Sequence, residues 1–168
     1  VGQTLCASPV VRKLSFTGST EVGRLLMRQS AATIKKLSLE LGGNAACIVD
    51  ADPGKTLDHI VERLVFGAYY QSGQSCISVQ RILVHTSLRD TLAEKLTRAV
   101  KKLKRGDPRD DKTFIGPVID EAAAQRIDQW LDAALAGGAT ALVRGKRKGN
   151  LLTIGDVVEE VGRDTGGA

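Results

Sequence analysis

Stretches in which apolar residues recur at every second position alternate along this chain with longer ones in which they recur every third or fourth. Side chains switch face at each residue of a strand, whereas a helix brings them back to one face every 3.6 residues, so the two spacings are not interchangeable. Strands separated by helices of ten or more residues can pair in parallel, because the helix provides the crossover that a hairpin turn cannot. The chain is therefore expected to be α/β, with a mostly parallel sheet and flanking helices.

Val10 to Phe16 alternate as a strand, and Thr17-Gly18-Ser19 breaks it. Ser19 or Thr20 then caps a helix running to about Ser30, with Glu21 in its first turn and Val22, Leu25 and Leu26 as its apolar stripe. Lys36 to Leu41 reads as a second strand, with Leu37, Leu39 and Leu41 on one face and Lys36, Ser38 and Glu40 on the other. Ala45 to Val49 reads as a third. Asp52-Pro53 predicts the start of a helix that carries Leu57, Ile60, Val61, Leu64, Val65 and Ala68 and ends near Gln71. Val79 to His85 is strand-like, and Ser87 with Asp90 three residues on has the form of a capping box for the next helix. That helix carries Leu88, Leu92, Leu96, Ala99 and Leu103. Arg105 to Val118 holds Gly106, Pro108, Gly116 and Pro117 and reads as a long loop. Asp120 caps a helix bearing Ile127, Trp130, Leu131, Ala134 and Leu135. Thr140 to Val143 is a short strand, Leu151 to Ile154 and Val157 to Val161 are further candidates, and Arg163 to Ala168 is expected to be loose.

With 168 residues the chain can bury a real core in one domain or two small lobes. No apolar run reaches the roughly 18 residues of a membrane span, and the first residues lack a signal-peptide pattern. Three cysteines, Cys6, Cys47 and Cys76, are too few and too far apart for a disulfide framework or a zinc knuckle. A reduced, cytoplasmic setting is expected. The net charge of +5 comes largely from Lys95 to Arg105 and from Arg144 to Lys148. With few aromatic residues to stack on bases and no recognition motif, these runs read as solvated surface, and neither nucleic acid nor membrane is expected as a partner.

Free cysteines mostly act as small buried hydrophobes. Cys47, inside Ala45-Ala46-Cys47-Ile48-Val49, fits that reading, and Cys6 offers nothing better. Cys76 stands in Gln71-Ser72-Gly73-Gln74-Ser75-Cys76, where small and polar neighbours let backbone and substrate approach a thiol, as a nucleophile requires. Glu40 ends an apolar strand against Gly42-Gly43 and is a candidate base, or else a surface carboxylate beside Lys36. Gly18-Ser19-Thr20-Glu21-Val22-Gly23, between strand and helix, could seat a phosphate at the helix N-terminus, although its spacing is neither a Rossmann fingerprint nor a P-loop. His59 and His85 have no ligand spacing around them, so no metal site is expected. A Cys-His pair using either as base stays open.

Phe16-Thr17-Gly18-Ser19-Thr20-Glu21-Val22-Gly23, Leu39-Glu40-Leu41-Gly42-Gly43-Asn44 and Gly73-Gln74-Ser75-Cys76, in that order, resemble three successive signatures of the aldehyde dehydrogenase superfamily. Gly106-Asp107-Pro108 and Gly116-Pro117-Val118-Ile119 resemble a later loop of the same family. The resemblance covers nearly the whole chain. It implies an aldehyde dehydrogenase-like fold in incomplete form, with residues 1–43 as the C-terminal portion of the cofactor-binding domain and residues 44–168 as the N-terminal portion of the catalytic domain.

Position by position, the resemblance makes Cys76 the nucleophile and Glu40 the base that activates water. The Cys76 amide becomes an oxyanion donor. Ser19 becomes the contact to the pyrophosphate of NAD or NADP, with Gly18 allowing close approach, Gly23 packing the helix and Leu41 neighbouring the nicotinamide. The substrate would be a small aldehyde; Gln74 to Arg81 looks most like members acting on phosphorylated or hydroxylated ones. Members of the family are usually dimers or tetramers, so a homo-oligomer is expected of the full-length protein. They are also far longer than this chain, and an upstream asparagine of the oxyanion hole, the ribose-holding groups and a downstream Glu and Phe have no counterpart here. Ile154-Gly155 stands where the family usually has Pro-Thr, and Gly162 where it commonly has proline. The isolated chain is expected to be weakly active or inactive, and a non-catalytic remnant or interaction module is the competing reading.

Overall fold

A computed structural model describes residues 1–145, 147–149, 151–152 and 157–159, and the chain divides into two compact units, Val1–Asn44 and Ala45–Ala168. Each unit contains one strand–helix–strand crossover.

In the first unit, helix α1 (Gly2–Ala7) precedes strand β1 (Lys13–Thr17), helix α2 (Thr20–Ser30) and strand β2 (Lys36–Glu40). β1 and β2 pair in parallel from Lys13↔Lys36 to Thr17↔Glu40, with α2 as the crossover between them. Cys6, Leu14 and Leu26 are buried together, with Phe16 and Leu37 packed against them. The short α1 has too few apolar positions to show a period in the sequence, and Cys6 anchors it. β1 starts three residues later than the alternation from Val10 predicts. Val10 is 83% exposed, and the Lys35 ammonium holds the preceding turn by donating to the carbonyls of Ser8 (2.6 Å) and Val11 (2.7 Å). The buried stripe of α2 is Gly23, Leu26 and Ser30, spaced three and four apart, while Val22 and Leu25 face outward.

The second unit runs from strand β3 (Ala45–Val49) through helix α3 (Leu57–Tyr69), strand β4 (Val79–Val84) and helix α4 (Arg89–Val100) to helix α5 (Glu121–Ala136). Short strands follow: β5 (Thr140–Val143), β6 (Arg147–Lys148), β7 (Leu151–Leu152) and β8 (Val157–Glu159). β3 and β4 are parallel, whereas β5–β8 and β6–β7 are antiparallel. Val49, Val61, Leu64, Val65, Leu92, Leu96 and Val100 form the core, where α3 and α4 cover one face of β3–β4. A bulge interrupts that pair: Ala45 opposes Val79 and Ala46 opposes Arg81, leaving Gln80 as the extra residue.

Two helix starts differ from expectation. Thr56, rather than Asp52, caps α3, its Oγ1 accepting from the His59 N–H at 3.4 Å. Asp52 instead closes a turn by accepting from Gly54 N–H, and Gly54 takes a left-handed φ of 64°. Before α4, His85 Nδ1 accepts from Ser87 N–H at 3.3 Å and opens a 3-10 turn at Thr86–Leu88, so the expected Ser87–Asp90 box does not form. Asp120 caps α5 as expected, accepting from Ala123 N–H at 2.7 Å. α5 buries Ala123 and Ala124 rather than its aromatic residue, since Trp130 is 64% exposed with Arg126 over its ring. Residues 153–156 and 160–168, including the outer parts of the last two expected strands and the expected loose end, lie outside the described residues. Among the described residues no helix is long and apolar enough to cross a membrane.

Candidate active site

Five of the six residues singled out by sequence belong to the first unit, around the carboxyl ends of its two parallel strands. Gly18, directly after β1, donates its N–H to the Glu40 carbonyl at 3.0 Å, continuing the β1–β2 ladder by one bond. Ser19 caps α2, its Oγ accepting from Val22 N–H at 3.3 Å. One turn later Gly23 is buried, and a Cβ on it would stand 2.9 Å from Leu41 Cδ2. Leu41 thus lies across the first turns of α2. Glu40 is exposed, on the face opposite its leucine neighbours. In open α/β sheets, ligands bind beyond the carboxyl ends of parallel strands, where these groups stand.

Gly18 has a local reason to be glycine. A Cβ there would fall 2.5 Å from Phe16 Cζ, inside the ring's own space. The family resemblance implies close approach of a ligand at Gly18; the structure adds the close approach of Phe16.

Cys76 belongs to the second unit and is exposed, whereas Cys6 is buried and Cys47 is half-buried. It sits between α3 and β4 at the amino end of the strand pair. The chain reaches it through three successive left-handed residues: Gln71 (φ 51°), Ser72 (φ 58°) and Gly73 (φ 73°). For Gln71 and Ser72 this conformation is strained, and residues held so tend to mark functional turns. Hydrogen bonds hold the turn on both sides of the thiol. Gln74 N–H donates to Gln71 O at 3.1 Å and Ser78 N–H to Ser75 O at 3.1 Å. Tyr70 and Ser75 hydroxyls bond at 2.6 Å. Ser78, 1% exposed, donates its hydroxyl proton to Gly73 O at 3.1 Å. Ser72 Oγ accepts from Gly116 N–H at 2.8 Å, linking this turn to the long loop after α4. In sequence Ser72 and Ser75 are only small polar neighbours of the thiol and Ser78 carries no signal; two left-handed non-glycine residues leave no signature in composition.

The fold closes the Cys-His alternative. His85 follows β4 while Cys76 precedes it, and six residues of strand, Val79–Val84, span about 20 Å. His59 lies in the first turn of α3, with Cys76 beyond that helix's far end, about 15 Å along its axis. His85 Nδ1 is also engaged with Ser87 Oγ at 2.9 Å.

Several residues of the basic runs pair with acids. Lys95 pairs with Asp58 (2.5 Å), Lys104 with Asp110 (2.6 Å), Arg147 with Asp128 (2.9 Å), and Arg98 with Glu94. A groove of about 540 Å³ lies between α3 and α4, floored by Val61 and Val65 with Phe66 and Phe114 at its rim. Its lining includes none of the candidate residues.

These features define an α/β protein with parallel strand pairs joined by crossover helices and an exposed thiol on a strained turn between helix and strand. Residues 1–160 match the sequence model of the aldehyde dehydrogenase family. The chain is 48% identical over 157 residues to the NADP(+) succinate-semialdehyde dehydrogenase GabD of Escherichia coli (strain K12), covering 90% of this chain and 32% of that one. It resembles the crystal structure of a Burkholderia pseudomallei succinate-semialdehyde dehydrogenase with a TM-score of 0.84 at 46% identity, over 94% of this chain and 33% of that one. Aldehyde dehydrogenase 21 from Physcomitrella patens, solved with the reaction product succinate, gives a TM-score of 0.87 at 40% identity, over 95% of this chain and 32% of that one. The chain belongs to the aldehyde dehydrogenase family. It spans about a third of the length of the relatives it matches.

Proposed function

We propose that this chain carries the reacting groups of an NAD- or NADP-dependent aldehyde dehydrogenase that oxidises a short semialdehyde bearing a distal carboxylate. The observation that carries the reading is the exposed Cys76 on its strained turn in a chain 48% identical to a succinate-semialdehyde dehydrogenase. That likeness favours a carboxylate-bearing substrate over the phosphorylated or hydroxylated aldehydes suggested by Gln74 to Arg81.

The Cys76 thiolate attacks the aldehyde carbon, and the new C–S bond turns the carbonyl oxygen into an alkoxide. The Cys76 amide is the chain's own donor to that oxygen. The dinucleotide supplies the hydride acceptor. Loss of hydride from the carbon re-forms the carbonyl and leaves a thioester on Cys76. Glu40 takes a proton from water as the water attacks the thioester; the C–S bond breaks, releasing the carboxylic acid and the thiolate.

The amino end of α2 suits a pyrophosphate. The first N–H groups of a helix have no carbonyl one turn back, so those of Thr20 and Glu21 point off its end. Ser19 Oγ accepts from Val22 N–H and keeps its own proton to donate. Gly18, lacking a Cβ, makes room for the Phe16 ring beside this end, and Gly23 lets Leu41 lie close to the helix where its backbone would neighbour the nicotinamide.

The test compares labelling of Cys6, Cys47 and Cys76 by a thiol-reactive analogue of succinic semialdehyde with labelling by iodoacetamide, which reports accessibility alone. An analogue preference at Cys76 beyond its iodoacetamide ratio is expected, and it should vanish in Cys76→Ser. Equal ratios at all three cysteines would instead favour a non-catalytic interaction module. Because an oxyanion-hole donor is worth about 10²–10³ in rate and a part of a dinucleotide site holds little, turnover by the isolated chain is expected to be weak or nil.

A further inference from the structure

Between Tyr70 and Ser78 the thiol-bearing turn is held mostly by bonds within itself. Tyr70 N–H donates to Phe66 O and the Phe66 and Tyr70 rings stack, which ties its start to α3, and Gly116 N–H donates to Ser72 Oγ at 2.8 Å, across 44 residues of sequence. Gly116 belongs to the loop after α4, which has its own framework. Gly106 N–H donates to Ile115 O, Phe114 and Ile115 N–H both donate to Lys104 O, and Ile115 is buried. The loop is therefore a braced support, and Ser72 reaches it.

Ser72 occupies a left-handed conformation (φ 58°, ψ 28°) immediately after Gln71 (φ 51°, ψ 35°). Glycine would adopt both without strain, and the hydroxyl is what glycine lacks. A strained non-glycine residue persists where its surroundings over-determine it. At Ser72 the surroundings include the Gly116 bond. Ser72 Oγ also lies 3.7 Å from the position a Cβ on Gly116 would take, so the two segments are in contact as well as bonded.

We propose that Ser72 is a positioning residue for Cys76: its hydroxyl ties the thiol-bearing turn to the loop around Gly116 and so holds the turn in one conformation. The role rests on Cys76 being the reacting thiol, but the tether can be tested without turnover. The Gln74 and Ser78 N–H groups flank Cys76 and report the turn directly, because each closes one of its bonds.

The experiment is residue-resolved amide hydrogen exchange on the full chain as wild type, Ser72→Gly and Ser72→Asn. Ser72→Gly relieves the backbone strain and removes only the tether, so global unfolding should change little. Gly116 N–H exchange should accelerate about tenfold on loss of one hydrogen bond, and Gln74 and Ser78 should accelerate with it by about threefold or more. Asparagine tolerates the left-handed region and offers an acceptor, so Ser72→Asn should return all three amides towards wild type. The proposal is overturned if Gly116 exchanges no faster in Ser72→Gly, if Gly116 is freed while Gln74 and Ser78 stay slow, or if Ser72→Asn leaves the turn as loose as Ser72→Gly. In parallel, the semialdehyde-analogue preference of Cys76 over iodoacetamide should fall in Ser72→Gly. A wild-type chain without that preference would count against the proposed function, and the exchange data would still decide the tether.

Discussion

Leu41 lies across the buried Gly23, its Cδ2 2.9 Å from where a Cβ on that glycine would be. An alanine in the interior of a helix is normally worth about 1 kcal/mol more than glycine. At position 23 that gain is opposed by the need to displace Leu41. Gly23→Ala should therefore leave stability near wild type in denaturant unfolding. In a Leu41→Ala background the same substitution should stabilise by about 1 kcal/mol. Equal effects in both backgrounds would mean that Leu41 does not set the glycine.

The start of α3 separates a sequence signal from a structural one. Thr56 Oγ1 accepts from His59 N–H, so Thr56→Ala should cost about 1 kcal/mol in thermal or denaturant unfolding. Asp52→Ala removes a turn contact to Gly54 and should stay within about 0.5 kcal/mol. The reverse order would restore Asp52 as the cap.

Leu96 is 7% exposed in the core of the second unit, and Trp130 is 64% exposed. Leu96→Ala leaves a cavity among Val61, Leu64 and Val100 and should cost about 2–5 kcal/mol. Trp130→Ala, though a larger truncation, should change stability by no more than about 0.5 kcal/mol. Urea unfolding midpoints measured side by side test this; a Trp130 effect as large as that of Leu96 would place an unrecognised contact on α5.

Acid should reach the loop after α4 through two carboxylates. Asp107 lies below the ordinary value of 3.8, first because the Arg109 side chain hydrogen-bonds it and second because the Arg109 N–H does. Asp110 is lowered by the Lys104 ammonium and then by Lys112 N–H, partly opposed by burial and by the charge of Asp107. Since folding depresses both values, their contribution is present above about pH 4 and is lost as pH falls through the lower folded values. Side-chain carbonyl shifts followed by NMR should show both midpoints below 3.8. Arg109→Gln should raise that of Asp107, and Lys104→Met that of Asp110. Midpoints that ignore both substitutions would refute these pairings.

Much of the fold was legible in local pattern. The alternation of Lys36 to Leu41 placed Glu40 on the face opposite the leucines, where it is found exposed. The apolar run Ala45–Val49 is a strand with the bounds expected. Ser19 and Asp120 act as caps because a short acceptor before a periodic run has one near partner, the N–H three residues on. Asp52 and Ser87 had the same appearance and failed. Gly54 offered Asp52 a tighter turn, and His85 took the Ser87 amide. Several local bonds compete there, and tertiary packing selects among them.

The sequence by itself determined the α/β alternation and the family, and nominated Cys76 as the thiol to consider, because these reside in residue order and in motifs a few positions long. Only the tertiary structure decided how that thiol is held. Nothing near Cys76 in sequence points to Gly116, 44 residues beyond Ser72, yet their hydrogen bond helps keep Ser72 in a backbone region that serine ordinarily avoids. A bond between distant segments exists only once the core of α3, α4, β3 and β4 has brought them together. Local spacing can therefore nominate Cys76, but its environment is a product of the fold.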